Sequence, residues 1–212
     1  EDWKAFASRF QSTEHFAPRT LPRVRRTMSA FEQNSFLDFR FAEMRKGDGQ
    51  IGSDGRSIEF AQAGRWRSCL LNPVVNSMVR SYVELQIHDC NIDCDIMIGL
   101  TSAGKLCHGH HDRPDGWMFS CHNTAAFFLG GRSRRRSSVV DIPAEEEEAP
   151  PKKLKKGDRV GLMVEQAVIT IFLNQAKLGH INAALPPQVH FVVEAFQNAK
   201  LSIDEHAMLP EI

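Results

Sequence analysis

The sequence predicts an all-β fold, two antiparallel sheets packed face to face. Three observations carry this. Apolar and polar residues alternate with period two in several short segments, turn-forming residues separate those segments, and no stretch shows a convincing 3.6-residue period.

Alternation starts at Phe36, with Phe36, Asp38 and Arg40 on one parity and Leu37, Phe39 and Phe41 on the other. Gly47-Asp48-Gly49 and Gly52-Ser53-Asp54-Gly55 supply turn chemistry ahead of the alternating Ser57-Ile58-Glu59-Phe60, which predicts a hairpin. Val83, Leu85 and Ile87 alternate with Glu84, Gln86 and His88; after a break rich in Asn and Asp, Ile96, Ile98 and Leu100 repeat the pattern. We expect these two strands to pair. Val160, Leu162 and Val164 alternate in turn. Val168 to Leu173 is apolar at nearly every position, so that strand is expected to be covered on both faces. Phe191, Val193 and Ala195, then Leu201 and Ile203, close the series.

Two segments do not fit a sheet. Residues 1–34 lack a clean period, and Pro18 and Pro22 interrupt any helix near Trp3, so they read as an irregular arm. The arm holds Arg19, Arg23, Arg25 and Arg26 with no acid between Arg19 and Arg26. The second segment, 131–156, joins a basic block to Glu145–Glu148, Pro150-Pro151 and Lys152, Lys153, Lys155 and Lys156. It reads as a disordered, charged loop inserted in a sandwich that spans 35–206, with 207–212 as a tail.

A chain of 212 residues suffices for one buried core plus an arm. Lysine plus arginine and aspartate plus glutamate each total 26, so no net field draws the whole chain to nucleic acid or an anionic surface. No apolar run approaches the roughly 18 residues of a spanning helix, and no membrane partner is expected. Cys69, Cys90, Cys94, Cys107 and Cys121 are odd in number and too sparse for a disulfide scaffold, which points to an intracellular, reducing compartment. The chain begins at Glu1, so it is either trimmed or processed; in the second case the Arg-rich stretch and reduced thiols suit the mitochondrial matrix.

A set of short motifs then adds to this reading. Tyr82-Val83-Glu84-Leu85, Ile98-Gly99-Leu100, Gly116-Trp117 with Ser120, His122 and Gly130, Gly157-Asp158-Arg159-Val160-Gly161, Ile169-Thr170-Ile171-Phe172-Leu173-Asn174 and Leu178-Gly179 occur in that order. In sequence and order they resemble the SPRY domain, the core of the B30.2 module. The resemblance implies an antiparallel β-sandwich of SPRY type that binds peptides or folded partners through loops at one end, with no catalytic residues, cofactor or small-molecule substrate. Two positions depart from the pattern. Gln175 stands where the family has glycine, so the turn is longer or Asn174 itself takes the left-handed conformation. Ala199-Lys200-Leu201-Ser202-Ile203 replaces the family's N-F-G at the last strand.

His88, Cys90, Cys94, Cys107, His108, His110, His111, Cys121 and His122 crowd one region and raise the question of zinc. They fall on strand ends and a turn of a sandwich that needs no metal to fold, so no metal site is expected. Cys107 or Cys121 beside a histidine could in principle be a nucleophile, but no oxyanion-hole, phosphate-loop or paired-carboxylate pattern accompanies them, and no enzyme is expected. The candidate partner-binding loop holds His110, His111, Asp112, Arg113 and Trp117; the alternative packs Trp117 as core and leaves the rest solvated. Ser137 and Ser138 follow Arg134–Arg136 and are candidate phosphorylation sites.

Two functions follow. One is a non-enzymatic adaptor that recognises a protein partner. The other is a structural subunit of a large assembly, such as a mitochondrial ribosome or another ribonucleoprotein, in which the arginines of the arm contact RNA.

Overall fold

A computed structural model describes residues 37–61, 64–102, 116–122, 126–129, 136–138, 153–207 and 210. The arm, with Arg19, Arg23, Arg25 and Arg26, lies outside the described residues, as do His110, His111, Asp112 and Arg113.

Fifteen strands occur among the described residues: β1 Arg40–Met44, β2 Gly49–Ile51, β3 Ser57–Phe60, β4 Arg67–Asn72, β5 Val75–Asn76, β6 Ser81–Cys90, β7 Ile96–Thr101, β8 Gly116–Ser120, β9 Ala126–Leu129, β10 Arg136–Ser138, β11 Arg159–Glu165, β12 Val168–Leu173, β13 Ala176–Asn182, β14 Gln188–Ala195 and β15 Ala199–Ile203. The first sheet runs β1-β4-β14-β7-β8-β9-β10, with β5 attached to β14; the second runs β13-β12-β11-β6-β15-β3-β2. Every pairing is antiparallel. The all-β sandwich expected from the alternation is the observed architecture.

The core lies between the sheets and is filled by the inward parity of each strand: Val83, Leu85 and Ile87 of β6 and Val160, Leu162 and Val164 of β11 meet Ile96, Ile98 and Leu100 of β7 and Phe191 and Val193 of β14. The β2–β3 hairpin forms as expected. β12 is covered on both faces. Ile169 and Ile171 enter the core, while Phe172 packs edge-on against Tyr82 on the other side, with ring centroids 5.8 Å apart.

Three expectations are corrected. β6 and β7 do not pair: β6 lies between β11 and β15, and β7 lies between β14 and β8. The break Asn91–Asp95 carries the chain across the core, with Cys94 at φ 47°. A strand facing another across a core shows the same alternation as one paired beside it, so the pattern could not separate the two cases. The segment 131–156 is not irregular throughout. Arg136–Ser138 pairs with β9, and Leu154, 2% exposed, is buried in the core with its N–H donating to the Cys121 carbonyl at 2.9 Å. An edge strand pairs through its backbone and needs no apolar signature, and one leucine among lysines is masked by their charge. Finally, Gly161 is expected to permit close approach between the sheets, but what comes close is the ring of Tyr82: a Cβ at Gly161 would lie 2.3 Å from the tyrosine oxygen.

Candidate functional site: a cleft at one end of the sandwich

The two ends of the sandwich are distinct. At the end where β6 starts lie the turn between β2 and β3, the 77–80 connection, the β11–β12 turn, the segment after β15, and Thr101 and Gly116, the anchors of the β7–β8 connection. Residues 103–115 of that connection lie outside the described residues.

A cleft of about 240 Å³ opens at this end, lined by Leu37–Phe39, Arg56, Tyr82–Glu84, Ile203–Glu205 and Ala207. Strand direction explains the gathering. β15 runs antiparallel to β6 with Ile203 opposite Leu85, so residues leaving β15 arrive beside the start of β6, and the lead-in to β1 closes the third side. Phe39 is fixed by an edge contact with Phe191, ring centroids 5.1 Å apart.

The mouth is charged. Arg40 Nε and Nη2 donate to Asp38 Oδ2 at 2.9 and 2.7 Å, and Arg56 Nη2 donates to Asp38 Oδ1 at 3.1 Å. Arg56 also pairs with Glu205. The hydrogen bond from Arg40 holds the Asp38 carboxyl below the usual carboxylate range against the opposing effect of desolvation, with the charges of Arg40 and Arg56 adding to it. The inner wall is a buried polar network. The Tyr82 hydroxyl donates to Glu84 Oε2 at 2.8 Å, and Arg159 Nη1 donates to Glu84 Oε1 at 3.2 Å and to Asp204 Oδ2 at 2.6 Å. Burial, then the neighbouring Glu84, pushes the Tyr82 phenol far above its ordinary value, so it remains a donor.

The opposite end is closed. Ile87 exchanges backbone hydrogen bonds with Gly157 and Asp158 at 2.7 and 2.9 Å, and the Asp158 carboxylate accepts from the Lys155 N–H and Asn174 Nδ2 at 2.9 and 3.1 Å. Arg67, almost fully buried, donates to the carbonyls of Asp48 and Gln197 and stacks over Phe60. Cys90, Cys94 and Cys121 gather at this end. Burial, then Cys94, pushes the Cys90 thiol up to about 12, and hydrogen bonding to Cys121 followed by burial raises that of Cys94. Such thiols stay neutral and are poor nucleophiles at physiological pH. Among the described residues no group of three or more His, Cys, Asp or Glu is placed to hold a metal ion.

Of the residues singled out from sequence, Trp117 is the second residue of β8 and is half-buried against the core, and Ser137 and Ser138 lie in β10, an edge strand of the first sheet among the described residues. The cleft residues were not singled out. Tyr82, Val83 and Glu84 enter the sequence reading only as strand and motif residues; Glu84, an acid on the outward parity of β6 beside Tyr82, is the local feature that could have drawn attention to them.

No family model matches the sequence, and no curated protein matches it. Solved structures do. A human SPRY domain superposes with TM-score 0.59 at 16% identity over 79% of this chain and 100% of that one. The SPRY domain of human HERC1 gives 0.58 at 12% identity over 79% and 100%, and the TRIM65 PSpry domain 0.56 at 10% over 82% and 95%. At such identity the likeness is one of fold, and with the strand topology above it makes the chain a β-sandwich of the SPRY type.

Proposed function

We propose that the chain is a protein-interaction module that holds its partner at the end of the sandwich where β6 starts, and that it serves as an adaptor. The observation that carries this reading is the cleft itself: at the end where β6 starts, Leu37, Phe39 and Ile203 lie beside a charged mouth and a polar inner wall. Two exposed apolar side chains stand at the same end, Val74 at 42% and Met78 at 52% exposure. They are held there by a rigid connection: Ser77 is pinned through its N–H and hydroxyl to the carbonyls of Pro187 and Pro186 at 3.0 and 2.7 Å. Apolar groups presented on a rigid loop lose little entropy on docking.

The test compares the ends. Partner capture from a native lysate is repeated with Val74→Asp combined with Met78→Asp, and separately with Ile92→Asp, which alters an 88% exposed residue at the closed end. We expect the double variant to lose the partner and Ile92→Asp to keep it. Retention by the double variant, or loss only with Ile92→Asp, would place binding elsewhere.

A further inference from the structure

The inner wall of the cleft is short of positive charge. Glu84 and Asp204 lean on one guanidinium nitrogen, Arg159 Nη1. Glu84 is 1% exposed, and among the described residues its other oxygen accepts from the neutral Tyr82 hydroxyl alone. At the mouth the charges balance, since Asp38 and Glu205 face Arg40 and Arg56. Among the described residues the four carboxylates thus meet three guanidinium groups, and the excess negative charge sits on the buried side. A buried carboxylate that shares its counter-ion gains from a second cation, because the surroundings screen the attraction poorly.

The rest of the lining is apolar: Leu37, Phe39, Val83, Ile203 and Ala207. A volume of about 240 Å³ admits one long side chain and excludes a folded element. A stem of methylenes ending in a cation is the chemistry of lysine and arginine. We infer that the cleft receives a lysine or arginine side chain of the partner, its stem on Leu37, Phe39 and Ile203 and its head against Asp204, with the buried Glu84 charge behind it. This inference rests on the proposed use of this end as the binding surface.

The test titrates the full chain with N-acetyl-arginine amide and N-acetyl-lysine amide, reading backbone amide shifts by NMR, with N-acetyl-citrulline amide as the neutral counterpart of arginine. Saturable shifts are expected at Val83, Glu84, Ile203 and Asp204, with citrulline weaker by about tenfold or more, a difference of about 1.4 kcal/mol. Asp204→Asn should abolish the arginine response. Glu205→Gln, at the half-exposed mouth, should weaken it by a smaller factor without disturbing the inner network. Equal response to citrulline, or shifts confined to other surfaces, would overturn the inference. If capture still depends on Val74 and Met78 while arginine and citrulline bind alike, the basic side chain is wrong and the binding end stands. If arginine binds selectively but the Val74 and Met78 variant keeps its partner, the cleft takes a cation and the partner is held without those two apolar side chains.

Discussion

Both ends of the sandwich are tied by hydrogen bonds to backbone, but at the open end charged side chains also pair with one another around a cleft. At the closed end, side chains turn back onto their own backbone: Asp158 accepts from Lys155 N–H, Asn174 accepts from Arg159 N–H, and Leu154 fills the corner beneath Cys94 and Cys121. At the open end Ser77 and Asn76 bond to backbone in the same way, and charged side chains pair with one another as well, Asp38 with Arg40 and Arg56, Arg56 with Glu205, and Glu84 and Asp204 with Arg159. Backbone groups satisfied by a loop's own side chains fix that loop. The pairs at the mouth, among Asp38, Arg40, Arg56 and Glu205, exchange partners at little cost, because half-exposed ion pairs contribute little net stability. One end therefore stabilises the fold and the other is available for recognition.

If that division is right, the largest loss of stability comes from the closed end. Leu154→Ala removes a fully buried side chain and leaves a cavity at the edge of the core, and should cost about 2–4 kcal/mol in urea denaturation. Ile203→Ala, in the half-buried lining of the cleft, should cost about 1 kcal/mol. Equal losses would abolish the distinction. Next in size is Asn174→Ala. Asn174 accepts the Arg159 N–H at 2.8 Å, donates to Asp158 at 3.1 Å and sits at φ 50°, so the variant should cost about 1–2 kcal/mol by losing both bonds and placing alanine in the left-handed region.

These contrasts also mark how far the sequence could be read. Strands announced themselves because Val83, Leu85 and Ile87, or Val160, Leu162 and Val164, alternate cleanly into one core. Strand pairing did not, since β6 and β7 face each other across that core rather than lying side by side. Leu154 was hidden by the lysines around it. The cleft was illegible for a different reason: Asp38, Glu84 and Asp204 come from three segments remote in sequence, and only the antiparallel course of β6 and β15 brings them together. Glu84 alone hinted at it, as a carboxylate in an apolar strand.

Each end also carries one tight two-residue turn, and neither uses glycine. Gln166 and Ala167 join β11 to β12 at φ 49° and 60°; Asn174 and Gln175 join β12 to β13 at φ 50° and 72°. The missing glycine is thus met by both residues taking the left-handed conformation. Asparagine tolerates that region, alanine does not, so Ala167→Gly should stabilise by about 0.5–1 kcal/mol and Asn174→Gly should not. Comparing midpoints of denaturation for the two variants measures the difference, and a gain from Asn174→Gly would show that its side-chain bonds contribute less than its strain.

The smallest effect belongs to the mouth of the cleft. Asp38 titrates below its ordinary value of 3.8 because Arg40 and Arg56 favour its charged form. A carboxyl whose pKa is lowered on folding adds stability that is fully present above its unfolded value and disappears as pH falls through its folded value. The Asp38 pairs should therefore be intact at neutral pH and release only below the ordinary carboxylate range. Carboxyl chemical shifts followed by NMR during acidification should give Asp38 a midpoint below 3.8, and Arg40→Gln should raise that midpoint, since Arg40 is the larger cause. A midpoint unmoved in the variant would assign the shift to Arg56 and make the mouth dependent on the same residue that reaches Glu205. In that case Arg56→Gln would raise the Asp38 midpoint in place of Arg40→Gln, while also removing the pair with Glu205.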